Sequence, residues 1–151
     1  MTGDDGDRLP PDEVLAAIAY VEAAFRGDRD AQRALVHRDE DERPMPVVLA
    51  AFARQVISAL MDTVHGVGDD LSPPELAAAR ARREADVTVR VSAVLSATLA
   101  AWAAGSDERA SDAMAHSVIA YVQAVGAAPN DDVLPLLARL RAAALRAAGR
   151  S

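Results

Sequence analysis

Three histidines, a run of four acids and a cluster of arginines are the side chains of this 151-residue chain whose types and spacing bear on chemistry. His65 follows Asp62 by three residues and His116 follows Asp112 by four. Such spacings put each pair on one helix face, where a charged pair adds about 0.2–0.5 kcal/mol. Asp62 with His65 is the acid/base combination that a helical enzyme would draw on. A metal would need a third ligand from another helix, because no His-Glu-x-x-His or Glu-x-x-His pattern is present. Helical projection sets His37, His65 and His116 opposite the apolar stripes of their segments, so all three are expected to face solvent. The acids Asp39 to Glu42 lack the alternating ligands and central glycine of a calcium loop, and read as a solvated connector.

The arginines are less ordinary. Arg80 and Arg83 project onto the face that later carries Val87 and Val94, a place arginine seldom occupies without a partner. Either the first turns of this helix overhang or break from the bundle, with Glu84 and Asp86 partly neutralising the charge, or Arg80, Arg83 and Arg90 bind a carboxylate, a phosphate or an acidic partner through bidentate bonds. No Gly-x-Ser-x-Gly elbow, Walker loop or Rossmann glycine pattern occurs, so no catalytic residue, metal site or cofactor is assigned and the chain leans away from being an enzyme. Residues 23–32 resemble the opening helices of alternative sigma factors, but no promoter-reading helix and no C-terminal helix-turn-helix follows, and the resemblance assigns nothing further.

The elements that would position these groups are helical throughout. Of the residues, 35 are Ala and only five are aromatic, a composition that favours closely approaching helices over sheets. Pro10 and Pro11, followed by Asp12 and Glu13, suit a first helical turn, and Val14, Ile18, Val21 and Phe25 continue at helical spacing until Gly27. A short second helix is expected over about 29–38. A third starts near Pro46 with Val48, Leu49, Phe52, Val56 and Leu60 on one face.

Ser72, Pro73 and Glu75 form a capping-box pattern that opens a fourth helix. Its periodicity runs to Trp102 with Val87, Val91, Val94, Leu95, Thr98 and Trp102 on the expected core face. The β-branched cluster at 87–91 marks the alternative of a break between Asp86 and Arg90. Ser106 or Asp107 caps a fifth helix with Met114, Val118, Tyr121 and Val122 inward, closed by Gly126 and Pro129. Asp131 or Asp132 caps a sixth, with Val133, Leu137, Leu140 and Ala144 inward.

The expected architecture is therefore all-α, a compact bundle of five to six largely antiparallel helices over 10–149, preceded by a flexible acidic N-terminus over 1–9. The net charge of −7, with all 16 basic residues arginine and no basic face, disfavours nucleic acid. Absence of cysteine and of a signal-peptide pattern fits the cytoplasm, and the longest uncharged stretch, 113–130, holds too many polar and helix-breaking residues for a membrane span. The expected function is a non-enzymatic interaction or regulatory module that contacts a protein partner or forms a homodimer. The alternative is a site for a small apolar ligand between the third, fourth and fifth helices, lined by Phe52, Trp102, Met114 and Tyr121.

Overall fold

A computed structural model describes residues 8–125 and 133–150. Within them lie seven helices and no strand: α1 (Pro11–Arg26), α2 (Arg29–Val36), α3 (Met45–Val64), α4 (Pro73–Ala85), α5 (Val87–Ala104), α6 (Ala110–Val125) and α7 (Val133–Ala148). The expected closure at Gly126 and Pro129 and the expected caps Asp131 and Asp132 lie outside the described residues. The seventh helix arises from a break at Asp86. Its backbone is extended (φ −75°, ψ 128°), so one residue ends α4 and begins α5.

Helix ends follow local chemistry. Gly27 adopts a left-handed conformation (φ 69°) that lets its amide and that of Asp28 close on the Ala24 and Ala23 carbonyls, a turn that only residues without a Cβ penalty take cheaply. Asp28 then caps α2 by accepting the Ala31 amide at 3.0 Å. At the start of α4, the Ser72 amide donates to Glu75 Oε2 at 2.9 Å and the Ser72 hydroxyl donates to the same oxygen. These bonds hold the Glu75 carboxyl below its usual range.

The core is built chiefly by α1, α3, α6 and α7. α3 packs on α5, α6 and α1, while α1 also contacts α2, α6 and α7. Ile18 and Val21 of α1, Val48, Leu49, Phe52 and Val56 of α3, Met114 and Val118 of α6 and Leu137 of α7 are buried together. Two ion pairs lock α1 in place: Arg141 of α7 reaches Glu22 at 2.8 Å, and Arg43 holds the buried Glu13 through Nε at 3.1 Å and through Nη2. α2 is latched by Gln32, whose side chain is buried and donates to Asp112 of α6 at 2.6 Å. Burial, reinforced by the Asp112 charge, raises the pKa of the neighbouring Tyr20 hydroxyl.

α4 stands apart. Its sequence offers one large apolar residue, Leu76, and its only fully buried residue is Ala79. It rests on α5 and on two polar ties from Arg83.

Candidate interaction surface

α5 is assembled with its polarity reversed. The side it turns to the core carries Ser92, Ser96, Leu99 and Ala103. Ser92 Oγ lies 2.8 Å from the Tyr121 hydroxyl, and Ser96 donates to the Ser92 carbonyl at 3.0 Å, so neither hydroxyl is left unpaired. The outer side carries Val87, Val91 and Val94, which are 59%, 62% and 66% exposed, and Trp102 at 44%. The expectation that these residues face the core is therefore overturned. The reason lies in the helix itself: between Val87 and Ala104 the only charged residue is Arg90, so almost every direction around the axis is apolar or small and periodicity sets no phase.

With Thr98 and Ala101, the outer valines alternate by four and three residues along α5, the spacing of a helix-pairing seam. A second, separate feature lies on the flank of α5 that faces α3. There Ala93, Ala97 and Ala100 leave a groove of about 560 Å³, whose opposite wall is Val47, Ala50, Ala51, Ile57 and Met61 of α3.

The arginine cluster divides. Arg83 lies at the groove, with Nη2 donating to Ser58 Oγ at 3.1 Å and Nε 3.0 Å from Asp62 Oδ1. Its partner is thus the polar stripe of α3, which no local spacing signals. Arg80 and Arg90 are exposed, make no ion pair among the described residues and do not line the groove.

Of the residues expected to line a ligand pocket, Phe52 and Met114 are solid core, Tyr121 is half-buried on Ser92 and Trp102 faces outward; none lines the groove. The acid/base pair is also separated. Asp62 is engaged by Arg83, and His65 points to Asp86 at 3.2 Å between Nε2 and Oδ2. His65 is not solvent-facing as projected, its side chain being 12% exposed, because it lies at the end of α3, where the α4–α5 corner covers it. His116 and His37 are exposed, His116 beside Asp112 at 3.4 Å and His37 4.0 Å from Glu108. Among the described residues no group of three or more His, Asp or Glu side chains is placed to hold a metal.

The corner itself titrates. Asp86 accepts the Thr88 amide at 2.7 Å, and this bond, aided by the Thr88 hydroxyl, His65 and Arg90, holds its carboxyl below the usual range. A depressed folded-state pKa contributes stability that is present above the ordinary carboxylate range and is lost as pH falls through the depressed value. Asp86→Asn is expected to flatten the acid limb of the stability profile. Urea midpoints measured at about pH 7 and about pH 3 should lie closer together in the variant; an unchanged difference would show that the cap carries none of it.

Among the described residues two helices, α3 and α5, are long and apolar enough to cross a membrane by length and composition. α3 is largely the core helix just described, whereas little of α5 is buried. No protein-family model, curated protein or solved structure matches the chain.

Proposed function

We propose that the chain is a non-enzymatic helical interaction module that associates with a second copy of itself through the outer seam of α5. The observation that carries this reading is the reversed polarity of α5, with serines inward and Val87, Val91, Val94 and Trp102 outward. Covering each of those valines recovers about 1 kcal/mol of apolar burial. A self-complementary patch is met most simply by the same patch on another copy, in a two-fold pair. Antiparallel pairing sets the Val87–Val94 end of one seam against the Thr98–Trp102 end of the other, so that the valines of each copy cover Trp102 of its partner beside the smaller Thr98 and Ala101.

The seam is about 27 Å long, from 18 residues at 1.5 Å each, and one helix wide. That is less than the roughly 800 Å² per partner of a standard interface, and it supports a reversible association in the micromolar range. A bilayer is the competing cover for an apolar helix face. The net charge of −7 opposes an anionic headgroup surface, and α5 offers Arg90 alone to attract one.

Light scattering across about 1–100 µM should show the mass rising from monomer to dimer. Trp102, the sole tryptophan, lies on the seam, and its emission should shift to the blue over the same range. A constant monomer mass with unshifted emission, or sedimentation with lipid vesicles in its place, would overturn the reading.

A further inference from the structure

We infer that the α3–α5 groove binds a neutral, unbranched alkyl molecule, a single extended hydrocarbon chain lying along the trough. The site lies on a different side of α5 from the association seam and stands whether or not the chain dimerises. On a helical wheel the groove residues Val89, Ala93, Ala97 and Ala100 follow the inward serines on one flank, whereas Val87, Val91 and Val94 lie beyond Arg90.

Charge decides the class of ligand. The polar groups that line the groove already have partners within the chain: Arg83 is held by Asp62 and Ser58, Arg43 by the buried Glu13, and Ser96 by the Ser92 carbonyl. Arg54 is engaged as well. The groove therefore presents no unengaged cation among the described residues, and a charged head drawn into it would shed hydration with nothing to replace it. What remains is aliphatic. Every other lining residue is Ala, Val, Ile or Met, with no ring among the described lining residues on which a planar ligand could stack. Burial of hydrocarbon is the gain this surface offers, and the volume of about 560 Å³ lies within the range of about 300–1,000 Å³ typical of small-molecule sites.

Shape selects within that class. His65 at the end of α3 meets Asp86 at the start of α5, so the two walls run antiparallel. The lining runs from Val47 to Met61 on one wall and from Val89 to Ala103 on the other, about 21 Å along each helix at 1.5 Å per residue. Spread over that length, 560 Å³ leaves a mean section of about 27 Å². Such a trough takes one extended alkyl chain and excludes a caged or fused ring. Ala50, Ile57 and Met61 form its buried floor, while Ala93, Ala97 and Ala100 form an exposed rim across which a small hydroxyl head can remain in water. The ion pairs Arg83–Asp62 and Arg43–Glu13 fix the walls before any ligand arrives, which lowers the ordering cost of binding.

Calorimetric titration of the full chain with decan-1-ol, 1-adamantanol, decanoate and decyltrimethylammonium tests the proposal. Decan-1-ol should bind with one site per chain, about tenfold or more tighter than 1-adamantanol, which folds the same number of carbons under the same hydroxyl into a cage too wide for the trough. Octan-1-ol should bind about tenfold more weakly than decan-1-ol, because two methylenes fewer are buried. Decanoate and decyltrimethylammonium should bind no tighter than the alcohol. Ala93→Phe with Ala100→Phe fills the trough and should abolish decan-1-ol binding while the circular dichroism and melting curve are kept. Ala97→Leu, a milder filling, should weaken it several-fold. Val94→Glu, on the seam, should leave it unchanged. The proposal is overturned if decan-1-ol does not bind, if the cage binds as tightly, if either ion binds more tightly than the alcohol, or if either filled variant, still folded, binds as the unmodified chain does. It is equally overturned if Val94→Glu alone removes binding, or if phosphatidylcholine vesicles bind and the free alcohol does not. Failure of the proposed self-association would appear in the mass measurement alone and would leave this titration untouched.

Discussion

Val91→Glu combined with Val94→Glu is expected to convert the proposed homodimer to monomer, weakening association by about a hundredfold or more. Each copy would bring two carboxylates into an interface that offers them no cation other than Arg90, and unpaired charge loses several kcal/mol on leaving water. A penalty near 2.8 kcal/mol suffices for the hundredfold effect, since each 1.4 kcal/mol is tenfold. The fold should be indifferent. Both valines are more than half exposed, and glutamate has the higher helix propensity, so the isolated chain should melt no lower than the unmodified one. Sedimentation velocity paired with a melting curve separates the possibilities. An unchanged mass removes the seam from the association, and a melting temperature lowered by several degrees would mean that these side chains are buried within one chain.

Phe52→Ala is expected to cost about 3–5 kcal/mol of stability, the range for removing a buried aromatic ring. Phe52 is 1% exposed on α3, within the cluster shared by α1, α3, α6 and α7, so the cavity would lie where four helices converge. For a domain of this size each kcal/mol moves the melting temperature by roughly 2–4 °C, giving a fall of roughly 6–20 °C. Urea unfolding at low protein concentration measures the change without a contribution from association. A loss under about 1 kcal/mol would indicate that the four helices close over the space, in contradiction to the tight core described above.

Much of the architecture was legible before any coordinates. Pro11, Gly27, Asp28, Pro46 and the Ser72–Glu75 pair mark helix ends by backbone chemistry that acts within four residues, and each lies within a residue of an observed boundary. The inward stripes of α3 and α7 were legible because large apolar residues there stand opposite charge, Phe52 with Arg54 and Leu137 with Arg139. α5 was not, because no charge after Arg90 tells its inside from its outside. The break at Asp86 was signalled by Val87, Thr88, Val89 and Val91, although the cap that produces it could be seen only once the Thr88 amide was placed.

The sites were harder to read than the fold. His65 with Asp86, Arg83 with Asp62 and Gln32 with Asp112 join residues 21, 21 and 80 positions apart, and no helical spacing reaches across such separations. The groove was invisible for a related reason. It is made by what alanine leaves out on two facing helices, and a missing side chain in one helix signals nothing until the other stands beside it.

The corner at Asp86 has a consequence for how the molecule breathes. Because one residue closes α4 and opens α5, α4 can swing away through rotation about a single ψ, giving up Ala79, Leu76 and the two contacts of Arg83 while α5 keeps its cap on the Thr88 amide. Its amide protons then exchange with solvent through a local opening far cheaper than global unfolding, while those at Ser92 to Leu99 wait for the whole domain. Among the described helices, α4, which sits beside the groove, is thereby expected to open and close over it with the fewest contacts to break.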